Sequence, residues 1–224
     1  MAGVTQNEDP RPSVGREDWA ARYRVDDTPW DLGAAHPELA RRLAARGALG
    51  SFPDSPASAL TPRGSGRALV HGCGRGHDAA ALTEAGWRVI AVDAVALRTP
   101  ALERVVAGGG SYRVEDALSL RLDEPVELVF DHTFFCALQP ADRERFGALV
   151  RASLAPGGTF CSLLFPHEKP LDTGGPPWGL VLEDYRRVLE PELRVVLDEP
   201  VERSVAKRTW PERWVCFERA GGGS

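Results

Sequence analysis

The stretch that most limits how this chain can fold runs from Arg67 to Asp93. An apolar run, Ala68-Leu69-Val70-His71, opens into Gly72-Cys73-Gly74-Arg75-Gly76-His77-Asp78, and a helical pattern follows. Glycines after a first strand let the backbone turn sharply and pass close to a ligand, and the next helix begins with unpaired N–H groups. A second apolar run, Arg88-Val89-Ile90-Ala91-Val92, ends at Asp93, 21 residues beyond Gly72. An acid at that position can accept hydrogen bonds from both hydroxyls of a ribose. Loop and acid together predict an adenosyl-ribose cofactor.

The rest of the chain keeps the same rhythm. Strands are predicted at 67–71, 88–92, 111–114, 126–130, 159–165, 193–198 and 214–218, and helices at 78–85, 100–107, 142–154 and 182–188. Alternating short apolar strands and helices imply an α/β fold, a mostly parallel sheet with helices on both faces. Ahead of it, Glu17 to Val25 forms a short helix with Trp19 and Tyr23 on one side, and Pro37 to Arg46 forms another. Residues 1–15 are expected to be disordered, 16–66 to form an N-terminal cap, 67–220 the core of the same single domain, and 221–224 a flexible tail. The Pro, Ser and Gly-rich segment Ser51–Gly66 reads as a loop, and Pro156-Gly157-Gly158 as a turn into the fifth strand.

Composition removes several classes of function. With 27 basic and 32 acidic residues the formal charge is −5, without the basic stripe that nucleic-acid binding needs. Only two of the basic residues are lysines, Lys169 and Lys207, which reads as compositional bias toward arginine. The longest segment free of charged residues, Ala152–His167, has 16 residues and is broken by Pro-Gly-Gly, too short and too broken for a membrane span. The four cysteines are far apart, which disfavours a disulfide or metal framework and fits thiols in a reducing compartment. A cytoplasmic monomer acting on a small molecule is the expectation, with no nucleic acid, membrane or metal partner.

The loop also discriminates between cofactors. A dinucleotide fingerprint needs a third glycine where His77 stands, whereas Gly72, Gly74 and Gly76 form G-x-G-x-G. Such a loop suits the methionine tail of S-adenosylmethionine, which has no pyrophosphate to cradle. After the third strand, Glu115-Asp116-Ala117 puts an acid where the adenine amino group would lie. The residues favour a methyltransferase over a dehydrogenase.

These residues, preceded by Thr28-Pro29-Trp30-Asp31-Leu32-Gly33, resemble the thiopurine S-methyltransferase-like family of class I S-adenosylmethionine-dependent methyltransferases. The segments Phe130–Leu138, Leu154–Gly158 and Gly174–Trp178 are similar to its halide and thiol methyltransferase branch, and the likeness runs from about Trp19 to Trp214. The resemblance implies a Rossmann-like, seven-stranded sheet with an N-terminal helical cap. It implies cofactor contacts from Trp19, Tyr23, Trp30, Gly72, Gly74, Asp93, Asp116, Ala117 and His132. It sets His132 beside the reacting methyl, where plant-type relatives have Tyr, and Tyr23 where they have Trp. Taken singly, Phe134, Phe135 and Trp178 are more often core residues; grouped with Gly175-Pro176-Pro177 they form an expected apolar substrate lid.

The implied activity is methyl transfer by in-line displacement to a thiol, bisulfide or halide. Other acceptors (a tellurium or selenium oxyanion, oxygen or nitrogen) and cofactor binding without transfer are the alternatives. The methyl is already activated, so positioning and a dry aromatic pocket suffice, and ring faces attract the sulfonium. No indispensable acid or base is expected. His132 is the one candidate catalytic residue, as a hydrogen-bond partner of the nucleophile or acceptor of a thiol proton.

Overall fold

The computed structural model describes residues 18–45, 60–62 and 64–221. Expectations for residues 1–15, for most of the Ser51–Gly66 loop and for the last three residues lie outside that range.

The β-branched and aliphatic runs form one sheet of order β3-β2-β1-β4-β5-β7-β6. Its strands are β1 (Arg67–His71), β2 (Arg88–Asp93), β3 (Ser111–Val114), β4 (Val126–His132), β5 (Leu154–Leu164), β6 (Leu193–Pro200) and β7 (Arg213–Arg219). β1 to β5 pair in parallel, and only β7, inserted between β5 and β6, runs antiparallel to its neighbours. The expected seven-stranded, mostly parallel sheet is the one that forms. Among the described residues, six α-helices accompany it: α1 (Trp19–Arg24), α2 (Pro37–Ala45), α3 (His77–Glu84), α4 (Pro100–Ala107), α5 (Arg143–Ser153) and α6 (Leu182–Leu189).

Strand periodicity divides the interior into two layers. Leu69, Val129 and Phe160 pack with Phe146 of α5 and Tyr185 of α6. Ala68, Val70, Leu128 and Phe130 face the other way, onto Leu39 of α2, Leu82 of α3 and Leu102 of α4. Each side chain named is at most 4% exposed, so both sheet faces are sealed and function is left to the strand ends.

Two differences from the sequence reading bear on the site. Pro156-Gly157-Gly158 is not a turn ahead of the strand but a bulge inside β5. There Val126 faces Leu154 while Leu128, two residues on, faces Thr159. Gly157 absorbs the irregularity with φ of +73°. β4 runs on to His132, two residues past its apolar run, because pairing with β5 continues through Ser162 and Leu163.

The topology also fixes where a ligand can bind. From β1 the chain builds outward through β2 and β3; from β4 it builds the opposite way. The crevice beyond the C-terminal ends of β1 and β4 is therefore the switch point at which open α/β sheets bind ligands.

Candidate active site

A cavity of about 750 Å³ lies over that switch point. One half is built from the ends of β1, β2 and β3. Gly72 and Gly74 have φ of +50° and +53°, values that an L side chain rarely adopts. A Cβ on Gly72 would come within 2.3 Å of the Phe134 ring, and one on Gly74 within 2.9 Å of the Tyr23 hydroxyl. The loop is thus bare backbone lying against the cavity. The Asp93 carboxylate accepts from the Gly74 N–H at 2.8 Å and the Val95 N–H at 2.9 Å, which fixes the loop to the end of β2. Both oxygens keep lone pairs for further donors, as a ribose would require. Burial raises the Asp93 pKa, against the pull of its backbone hydrogen bonds. Asp116, Ala117 and Leu118 complete this half, with the Asp116 side chain accepting from the Leu118 N–H at 3.0 Å. The arrangement fits an adenosyl group.

The cap closes the same half. Trp19 and Tyr23 lie one helical turn apart on α1, and both meet Trp30 edge-on, at 5.2 and 5.8 Å. The Trp30 indole N–H donates to the Tyr23 hydroxyl at 3.3 Å. Burial, more than any other influence, pushes the Tyr23 pKa up to about 12, so the phenol stays protonated. Asp31 pins the cap to the glycine loop through Arg75 Nε at 2.6 Å.

The other half lies beyond the ends of β4 and β5. It is lined by Thr133, Phe134, Cys136, Ala137, Phe165, Pro176, Pro177 and Trp210, and by Lys169, Lys207 and Arg208. The structure thus brings Trp19, Tyr23, Trp30, Gly72, Asp93, Asp116, Ala117 and Phe134 around one cavity. Gly74 and His132 line a small adjoining chamber of about 50 Å³ instead.

Two expected substrate contacts are corrected. Phe135 is fully buried and stacks on Tyr185 at 4.4 Å; it is a core residue, because the short turn after β4 points it into the α5–α6 layer. Trp178 is half-buried and does not line the cavity, although its neighbours Pro176 and Pro177 do. Its backbone N–H donates to Cys136 at 2.8 Å, so it anchors the lid loop.

His132 also takes a different role. Its Nδ1 lies 2.6 Å from Asp78 Oδ2, and its Nε2 lies 2.7 Å from Arg208 Nη2. Arginine can only donate, so Nε2 accepts and Nδ1 carries the proton toward Asp78. Both ring nitrogens are committed, and neither is presented to an acceptor. Arg208 also pairs with Glu212, which accepts from His36 Nε2 at 3.1 Å. The His36 backbone N–H returns to Asp78 at 2.8 Å, closing a ring that joins cap, α3, β4 and the segment before β7. Burial alone would raise the Glu212 pKa; the His36 hydrogen bond, the Arg208 charge and the Ser204 hydroxyl outweigh it and hold it at about 2. The Arg208 guanidinium lies over the Phe165 ring, 4.3 Å from its centroid. His132 positions Arg208, and Arg208 is what reaches the cavity.

Sequence reasoning missed Phe165, Lys169, Lys207 and Arg208, which sit far from any motif. One signal was available: both lysines of the chain, out of 27 basic residues, line this one cavity.

A sheet of this order, with a glycine loop and an acid at the ends of β1 and β2, defines the class I methyltransferase fold. Solved structures agree. The chain aligns with the 1,6-didemethyltoxoflavin-N1-methyltransferase of Burkholderia thailandensis, solved with S-adenosylhomocysteine, at a TM-score of 0.65 and 18% identity, covering 94% of this chain and 92% of that one. The N-methyltransferase NodS of Bradyrhizobium japonicum, also with S-adenosylhomocysteine, aligns at 0.57 and 17%, covering 88% and 91%. The family model "Thiopurine S-methyltransferase (TPMT)" matches residues 14–216. A probable thiol methyltransferase 2 of Arabidopsis thaliana is 32% identical over 181 residues, 77% of this chain and 71% of that protein. A thiocyanate methyltransferase 1 of Brassica oleracea is 30% identical over 207 residues, 87% and 81%. The chain belongs to the thiopurine S-methyltransferase family and is an S-adenosylmethionine-dependent methyltransferase.

Proposed function

We propose that this protein transfers the methyl group of S-adenosylmethionine to a small soft nucleophile: a thiolate, bisulfide or a halide. The observation that carries the reading is the division of one cavity at the β1/β4 switch point. Asp93, Asp116 and the bare glycine loop lie on one side, and an apolar, cationic wall on the other. The names of the thiol and thiocyanate methyltransferase relatives support a sulfur acceptor.

Gly72, Asp93, Asp116 and Ala117 would hold the cofactor, with Gly74 fixing Asp93 from behind and Trp19, Tyr23 and Trp30 above it. When bound, it supplies a methyl group already activated on a sulfonium. The residues around it then have three tasks. They align the acceptor, a contribution that reaches about 7–11 kcal/mol in ideal intramolecular cases. They exclude water through the cap, Phe134, Phe165 and the Pro176-Pro177 loop. They draw an anionic acceptor into the cavity through the positive charge of its wall, to which Lys169, Lys207 and Arg208 belong. No protein nucleophile takes part: burial chiefly pushes the Cys136 thiol up to about 12 and raises that of Cys73 as well.

The test is a panel of iodide, bromide, bisulfide, small thiols and a thiopurine, read as S-adenosylhomocysteine formation and headspace product. Turnover of at least one sulfur or halide acceptor is expected. Cofactor binding by calorimetry with no turnover on any of them refutes the reading.

A further inference from the structure

We infer that the acceptor is an organic thiol whose far end carries a carboxylate, and that Lys169 and Lys207 bind that end. The inference rests on the sulfur-acceptor reading above. Pockets for drug-sized ligands run from roughly 300 to 1,000 Å³, and the cofactor site takes only the β1–β3 half of a cavity of about 750 Å³. A monatomic or triatomic anion would leave the remainder unfilled.

The charges of that remainder do not cancel. Arg208 is neutralised by Glu212 beneath it, and the cavity's carboxylates other than Asp93 and Asp116 are paired as well, Asp18 with Arg24 at 3.8 Å and Asp142 with Arg145 at 3.1 Å. Neither lysine has a carboxylate partner among the described residues. Lys169 Nζ donates to the carbonyls of Gly174 and Pro177, at 2.8 and 2.7 Å, and Lys207 Nζ to that of Asp31 at 3.0 Å. An ammonium has three donors, so Lys169 keeps one and Lys207 two. Those bonds draw both lysines to the mouth, one from the lid loop and one from beside the cap. The cavity around them is also lined by Phe165, Pro176, Pro177 and Trp210, which suits a short apolar spacer. The order from inside out is reacting sulfur, apolar spacer, anion. In the reaction the thiolate sulfur forms the new S–CH3 bond as the methyl–sulfonium bond breaks. The electron pair stays on the departing thioether, and the thiol proton goes to solvent.

The experiment compares 3-mercaptopropionate with its methyl ester, with rates expressed per thiolate. A parallel binding arm measures 3-(methylthio)propionate and its methyl ester by calorimetry with S-adenosylhomocysteine present. The acid is expected to exceed the ester at least tenfold in kcat/KM and in affinity, less so at high salt. In the Lys169→Gln/Lys207→Gln variant that ratio falls toward one, while Lys169→Arg/Lys207→Arg retains most of it. Cofactor affinity and melting temperature check that each variant is folded. Equal use of acid and ester overturns the inference and leaves methyl transfer to sulfur standing. Turnover of no acceptor refutes the transfer reading instead, and the binding arm still decides the inference: without acid preference there, it fails.

Discussion

Replacing Gly72 by alanine tests the geometry on which the cofactor half depends. Its φ of +50° is left-handed, so any Cβ costs about 1–2 kcal/mol in backbone strain. The added carbon would also sit 2.3 Å from Phe134 Cδ2 and 3.0 Å from Cγ, well inside contact distance. Phe134 is packed on His71, with ring centroids 5.8 Å apart, and cannot retreat without moving it; overpacking of this kind costs about 1–3 kcal/mol. The sum is about 2–5 kcal/mol, or roughly 4–20 °C in melting temperature for a chain of this size. Gly157→Ala is the control, because its φ is +73° with nothing within 4 Å of the added carbon; it should show the strain alone. Phe134→Ala removes the two close ring atoms and leaves only its own Cβ, 3.2 Å from the new methyl. In that background the Gly72→Ala penalty should fall to the Gly157→Ala value. Thermal melts of the wild type and the four variants (three single, one double) give the stabilities, and calorimetry gives cofactor affinity, expected to drop about tenfold or more for Gly72→Ala. Equal destabilisation by Gly72→Ala and Gly157→Ala, or a penalty unrelieved by Phe134→Ala, would refute the reasoning.

Asp93→Asn keeps the shape but loses the charge that fixes the loop and would meet the ribose; calorimetry should show cofactor affinity down by about 1.5–3 kcal/mol, the range for a charged hydrogen bond. His71 is fully buried with both ring nitrogens unpartnered among the described residues, and burial lowers its pKa to about 3. A base depressed in the folded state contributes full stability above its ordinary 6.5 and loses it as pH falls toward 3, here about 2 kcal/mol between pH 7 and 5. Denaturant titrations of His71→Leu should show that slope reduced; an unchanged slope assigns acid sensitivity elsewhere. Arg208→Met leaves Glu212 buried without its guanidinium partner and should cost about 3–5 kcal/mol by chemical denaturation, whereas Arg208→Met combined with Glu212→Gln should recover part of it. His132→Gln, which can still reach Arg208, should keep more activity than His132→Phe in kcat/KM; equal loss in both variants would refute its positioning role.

Much of this was legible in the chain itself, for local reasons. Short β-branched runs between helical patterns specify a parallel sheet, and the helices Pro100–Ala107 and Leu182–Leu189 begin where the pattern put them. The loop at Gly72–Gly76 and the acid at Asp93 are 17 to 21 residues apart, yet they form one unit because β1 and β2 are adjacent and parallel, so their ends must meet. The aromatic cap was visible as Trp19 and Tyr23 one turn apart, although the side chains they face come from Trp30 and the glycine loop.

What the sequence could not show depends on which way a side chain points after a strand ends. Phe134 and Phe135 are neighbours of the same type, but one lines the cavity and the other is sealed under α6, a choice made by the turn that Asp131 holds through both their N–H groups. His132 looked like a group aimed at the nucleophile; the ring formed with Asp78, Arg208, Glu212 and His36 spans sequence separations up to 176 residues and turns it inward. Lys169 and Lys207 were a detail of composition until the fold brought the segments after β5 and before β7 to one mouth. Periodicity and turn chemistry are written along the chain, so the sequence alone determined the sheet and its cofactor loop. The acceptor wall is assembled from segments that meet only when β7 inserts beside β5, and so the tertiary structure alone decided it.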